Sequence, residues 1–108
     1  MNTEHKVVVA IATSREGQAH ALASRLEEVA TASWGEDGVV SYAVHTLPDT
    51  PGSFMMVEVY SSEQAFQDHL STEHVVALIA DLPTLVEGDL LVYQGAPEHY
   101  SSGLKGLL

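Results

Sequence analysis

Four side chains between residues 58 and 74 can exchange protons inside an otherwise apolar stretch, FMMVEVYSSEQAFQDHLSTEHVV (residues 54–76): Glu58, Tyr60, His69 and His74. A carboxylate, a phenol and two imidazoles are the materials of general acid–base chemistry. The imidazole suits the role of base, because its ordinary pKa of about 6.5 lies close to neutrality. Strand alternation puts Phe54, Met56, Glu58 and Tyr60 on one face. Helical spacing puts Ala65, Phe66, His69 and Leu70 on the apolar side of the element that follows. Glu58 is therefore expected to orient His69 as a base or hydrogen-bond partner. Tyr60, Tyr42, Phe54, Met56 and Phe66 are expected to line an aromatic-friendly pocket, with His74 at its mouth. A Glu–His pair joining strand to helix also serves as a local clamp, so the pair alone does not establish catalysis.

Other chemistries find less support. Glu58, His69 and His74 are adequate metal ligands in type. The two histidines, however, stand five residues apart across a helix break and share no helical face, so no metal site is expected. The absence of cysteine removes disulfides, thiolate ligands and a cysteine nucleophile. No G-x-S-x-G elbow, G-x-G-x-x-G turn or Walker pattern occurs, so neither a serine nucleophile nor a nucleotide cradle is expected, and no cofactor. His45 falls on the strand face opposite Tyr42. His5, His20 and His99 read as solvated.

The 108 residues suit one domain, with a core over about residues 5–95 and a tail at 96–108. The net charge of −11, with only Lys6, Arg15, Arg25 and Lys105 to oppose 15 acids, excludes a phosphate-backbone surface and disfavours anionic membranes and polyanionic substrates. No apolar run reaches the roughly 18 residues that cross a bilayer. The opening segment reads as a strand, not a signal peptide, and a cytoplasmic location is expected.

The elements that must position the candidate site follow from periodicity. Residues 6–13 (KVVVAIAT) are apolar on both parities and form a buried strand. Ser14 is expected to cap a helix whose stripe is Ala19, Leu22, Ala23, Leu26, Val29 and Ala30, closed by Trp34 with Gly35 at C′. Glu36, Asp37 and Gly38 make a turn. Residues 39–46 form a strand with Val40, Tyr42 and Val44 on one face, and residues 53–60 form the third strand. Ser61 with Gln64 gives a capping box for the helix carrying His69. A further helix carries Val75, Leu78, Ile79 and Leu82 and ends at Pro83. Gly88 is free to take a positive φ, and residues 90–94 make the last strand. In the tail, Leu104, Leu107 and Leu108 are candidates for packing. The order is β-α-β-β-α-β with the second helix split. It predicts an α+β, ferredoxin-like subunit with an antiparallel four-stranded sheet. Helices cover one face of such a sheet. The other face is apolar too, so a homodimer packed sheet to sheet is expected.

These residues resemble the antibiotic biosynthesis monooxygenase (ABM) domain family. The features that carry the resemblance are the opening strand followed by Arg15-Glu16-Gly17-Gln18 and the run Asp37-Gly38-Val39-Val40-Ser41-Tyr42. They continue with Glu58-Val59-Tyr60, Phe66-x-x-His69-x-x-x-x-His74 and a short closing strand, spanning residues 5–95. The resemblance implies a dimeric α+β barrel with a pocket between sheet and helices. Members include cofactor-free quinol and polyketide oxygenases, haem-degrading oxygenases and an isomerase of a phosphorylated signal sugar. Others have no known activity. Members commonly carry Trp where Tyr60 stands, so a hydrogen-bonding phenol replaces a stacking ring here. Haem-degrading members use an Asn on the first strand, absent here, and a late helical His whose matching position falls near Ile79. Haem degradation is therefore not expected. The resemblance implies a cofactor-independent monooxygenase acting on a small aromatic or quinol-like compound, with His69 and Glu58 as the catalytic pair. A non-catalytic small-molecule-binding or interaction dimer and an isomerase-type member are the alternatives. The isomerase would need a phosphate clamp that four scattered basic residues do not supply.

Overall fold

The computed structural model describes residues 4–98. Its elements run β1 (Lys6–Thr13), α1 (Ala19–Ser33), β2 (Val39–Thr46), β3 (Ser53–Tyr60), α2 (Glu63–Leu70), α3 (Glu73–Leu85) and β4 (Leu91–Gly95). The strands form one sheet in the order β2-β3-β1-β4, with every neighbouring pair antiparallel. This is the expected ferredoxin-like arrangement, second helix split included. Among the described residues no helix is long and apolar enough to cross a membrane. The expected packing of Leu104, Leu107 and Leu108, and the reading of His99, fall outside the described residues.

Register fixes what each face of the sheet presents. On the helix side, Tyr42, Glu58, Val8 and Gln94 lie in one cross-strand row, and Val44, Met56, Ala10 and Val92 in the next. Leu22, Leu26 and Val29 of α1, with Leu78 and Leu85 of α3, pack on this face and close the main core. A smaller cluster of Val8, Tyr60 and Phe66 joins β1 and β3 to α2. The opposite face carries the rows Ala43, Val57, Val9, Tyr93 and His45, Met55, Ile11, Leu91. Among the described residues no helix covers it, and Leu91 and Tyr93 are more than half exposed.

Several local details differ from expectation, each for an identifiable reason. A bulge between Val39 and Ser41 shifts the β2 register. Val39 therefore packs inward in place of Val40, which is left 52% exposed. An inserted strand residue has no partner and breaks strict alternation only locally, so Tyr42 and Val44 keep their inward face. The cap of α2 is Ser62 rather than Ser61: its hydroxyl accepts from the Ala65 amide at 3.0 Å. Ser61 instead donates its amide to the Gly38 carbonyl. Ser14 does not cap α1. Its amide bonds to the Gly52 carbonyl, and the helix begins at Ala19. Gly35 closes α1 without a left-handed turn, since positive φ is confined to Gly17, Gly52 and the expected Gly88 among the described residues. Pro83 does not end α3, which continues to Leu85. In the last turn the missing proline N–H costs one bond, and the Arg15 Nε donates to the Pro83 carbonyl at 2.8 Å. The last strand starts at Leu91, one residue later than expected.

Gly38 is where the β2 entry meets α2. A Cβ built there would stand 2.5 Å from the Ala65 Cβ and 3.3 Å from its Cα. Those atoms belong to a helix and cannot swing aside. Gly38→Ala is expected to destabilise the protein by about 1–3 kcal/mol through overpacking. Adding Ala65→Gly should recover part of that loss in urea denaturation, which a purely local turn effect would not.

Candidate functional site

The α2–α3 break, the β3 end and the α1–β2 turn converge on His69. Its place on α2 follows from the apolar phase of that helix, where Phe66 and His69 are the buried positions. The ring is 3% exposed and lies between two phenols, with centroids 5.6 Å from Tyr42 and 5.0 Å from Tyr60. Tyr60 also stacks obliquely on Phe66 at 5.1 Å.

The acid that holds His69 is not Glu58. Its Nδ1 is 3.0 Å from Oε2 and 3.2 Å from Oε1 of Glu36. The same Oε2 is 2.7 Å from Nε2 of His74. One carboxylate thus braces both histidines across the helix break. The expected Glu58–His69 pair is corrected accordingly: Glu58 accepts a hydrogen bond from the Tyr60 hydroxyl. The reason is geometric. Glu58 and Tyr60 are two residues apart on one strand face, so the phenol reaches back along its own strand, while the turn after α1 delivers Glu36 to the end of α2. His74, expected as a bystander at the mouth, is part of this brace. Glu36 was legible only as a turn acid. Nothing in local spacing links it to imidazoles 33 and 38 residues away.

Beside this cluster lies an apolar cavity of about 120 Å³ between the sheet and α2 and α3. Tyr42, Met56, Glu58, Phe66 and His69 line it, together with aliphatic side chains such as Val8, Leu78 and Leu82. With Nδ1 bound to Glu36, the other ring nitrogen of His69, Nε2, has no hydrogen-bond partner among the described residues. Two expected lining residues are elsewhere. Tyr60 is fully buried behind the lining, against His69 and Phe66. Phe54 faces a separate open groove of about 330 Å³ with Trp34, Val44 and His45. The Trp34 Nε1 donates to the Tyr42 carbonyl at 2.8 Å, which ties the end of α1 to the strand that presents the Tyr42 ring.

Burial dominates the electrostatics. It raises the Glu58 carboxyl to about 7, although the Tyr60 hydrogen bond acts in the opposite direction. It raises both phenols, Tyr42 and Tyr60, above their ordinary value, and the nearby Glu58 charge adds to this. It lowers the His69 imidazole, with Glu36 pulling the other way. The site therefore favours a neutral imidazole and a carboxyl that is half protonated near neutral pH. Such a pair can accept a proton at one point and donate a hydrogen bond at another.

Residues 6–81 match the sequence profile of the family described as antibiotic biosynthesis monooxygenase. Among solved structures, the chain is similar to Rv0793 from Mycobacterium tuberculosis. The identity is 26%, the coverage is 91% of this chain and 99% of that one, and the TM-score is 0.84. It is similar to SO0527 from Shewanella oneidensis at 26% identity, 87% and 93% coverage and a TM-score of 0.80. For PA3566 from Pseudomonas aeruginosa the values are 25%, 89% and 95%, and 0.82. No curated protein matches the sequence.

The raised Glu58 carboxyl has a measurable consequence. Between its ordinary value of 4.5 and about 7, the unfolded chain has lost this proton and the native state retains it, so stability falls as pH rises through that window. His69 acts with the opposite sign. Its lowered pKa gives a contribution that is present above 6.5 and lost as pH falls below it. Glu58→Gln mimics the protonated acid. Relative to the unmutated protein, it is expected to gain up to about 3 kcal/mol on going from pH 4 to pH 8. Urea titrations at the two pH values check this, and an unchanged difference would contradict the burial argument.

Proposed function

The chain belongs to the antibiotic biosynthesis monooxygenase family, and from that premise we propose that it is a cofactor-independent monooxygenase acting on a small phenol or quinol. One observation carries this reading: the buried His69 lines an apolar cavity with Nδ1 held by a carboxylate and Nε2 unengaged. An engineered apolar cavity of about 150 Å³ accepts benzene, so the volume of about 120 Å³ suits a single ring. A pocket occluded by Phe54, Met56 and Phe66 would favour a non-catalytic dimer; Met56 and Phe66 line this cavity without closing it. Phe54 lies in the other groove, which favours the enzyme reading.

In this mechanism Glu36 accepts a hydrogen bond from Nδ1–H, which leaves the Nε2 lone pair to take the substrate's phenolic proton. The electron-rich phenolate passes one electron to O2, and the radical pair recombines at a ring C–H carbon as a peroxide, which takes the proton back from His69 Nε2 to give the hydroperoxide. Loss of water leaves a new carbonyl. One oxygen atom ends in the quinone and the other in water, so the substrate supplies every electron and no external reductant is required. The apolar walls exclude water that would quench the intermediates. Glu58, with Tyr60 behind it, is placed to hydrogen-bond the developing quinone oxygen. Tyr42, Met56 and Phe66 hold the ring. His74 acts through Glu36, not on the substrate.

The working unit is a homodimer joined through the uncovered sheet face. Two rows there, each from four strands and apolar but for His45, support this reading, because a face of that kind is unusual on a monomer. Val57→Asp in the centre of that face should convert a particle of twice the chain mass to one chain mass in light scattering. A monomeric unmutated protein would refute the dimer.

Oxygen uptake with a panel of single-ring hydroquinones tests the activity. His69→Ala is expected to lower kcat by about 10²–10⁴-fold, the usual contribution of a positioned base. No enzyme-dependent uptake across the panel would reject the oxygenase. Full activity in His69→Ala would reject the residue.

A further inference from the structure

The brace around His69 also has the composition of a metal centre. Glu36, His69 and His74 each offer one ligand atom, and the three atoms lie within 4.8 Å of one another. Two of the separations, His74 Nε2 and His69 Nδ1 to the shared Glu36 Oε2, are 2.7 and 3.0 Å. In a tetrahedral zinc site with bonds of about 2.0–2.1 Å, neighbouring ligand atoms stand roughly 3.3 Å apart. These two edges must open by about 0.6 and 0.3 Å, and the third lies within 4.8 Å, so side-chain rotation alone can bring the three atoms to such a geometry. The sequence spacing argues against such a site because the two histidines share no helical face. The break between α2 and α3 is what turns both rings toward the same carboxylate.

We propose that Glu36, His69 and His74 form a binding site for one divalent transition-metal ion of the zinc type, with a fourth position open to solvent. Two nitrogen donors and one oxygen disfavour magnesium and calcium, which require oxygen-rich shells. The Glu36 and His74 side chains are 16% and 23% exposed, so an ion enters from outside without passing through the cavity. A chain of net charge −11 attracts cations to its surface. Metal on Nδ1 places the remaining ring proton on Nε2 and turns the cavity-facing edge of His69 from acceptor into donor. Zinc is then an inhibitor of the proton transfer described above. That consequence rests on the oxygenase reading, whereas the metal site does not.

Tag-free protein titrated with Co(II) should bind one ion per chain and develop the visible ligand-field bands of a tetrahedral nitrogen–oxygen site. Zn(II) should displace it and raise the thermal midpoint. Glu36→Gln and His74→Ala should each weaken binding by more than about tenfold, while His20→Ala on α1 leaves it unchanged. Circular dichroism checks the fold of each variant, and His74→Gln replaces the alanine variant if that one unfolds. No stoichiometric binding at micromolar metal would overturn the site and leave the three residues as a hydrogen-bonded brace. Binding that survives both ligand variants would overturn it as well. Intact Co(II) binding with no zinc inhibition of oxygen uptake would reject only the proton consequence.

Discussion

The Glu36 carboxylate is the contact on which the site depends. It projects from the turn after α1, just before the bulged entry of β2, and meets the last turn of α2 and the first turn of α3. Without it the buried His69 would have an unpaired Nδ1 in an apolar surround, a costly arrangement. Its presence sets the ring's tautomer and orientation through Nδ1 and leaves Nε2 without a hydrogen-bond partner among the described residues. The logic is that of an acid holding an imidazole from behind, assembled from three separate stretches of chain.

The sheet supplies the second constraint. Antiparallel register places Tyr42, Glu58 and Val8 in one row beneath α2, and Met56 and Ala10 in the next. Each polar group of the site is thus set in an apolar neighbourhood by parity alone. The bulge at Val40 absorbs one residue without inverting Tyr42. The close approach of Gly38 to Ala65 lets α2 sit low enough on the sheet for His69 to touch both phenols.

The polar groups at the cavity are held away from their ordinary protonation behaviour by the same burial that shapes the cavity. Glu58 keeps its proton to about neutral pH, and His69 resists gaining one. A carboxyl raised and an imidazole lowered both reduce the charge the cavity carries, which suits an apolar ring better than two full charges would. The expected pairing of Glu58 with His69 would have placed the orienting carboxylate on the cavity side of the ring; the observed one is Glu36, from the turn after α1.

The amino-acid sequence by itself determined the element order, the strand faces and the burial of His69, because periods of 2 and 3.6 residues report which side of an element is apolar. KVVVAIAT, the split second helix and the Glu58–Tyr60 face were legible for that reason. The family was legible from the order of short motifs. Details that turn on a single residue were not: the Ser62 cap, the inward Val39 and the continuation of α3 through Pro83 depend on packing against neighbours. The partner of His69 lay furthest out of reach. Periodicity says that a side chain points inward, but not what arrives from another part of the chain to meet it. Glu36 is polar, sits in a turn and has no apolar pattern around it. Only the docking of α1, β2 and the α2–α3 break in three dimensions brings its carboxylate to both imidazoles.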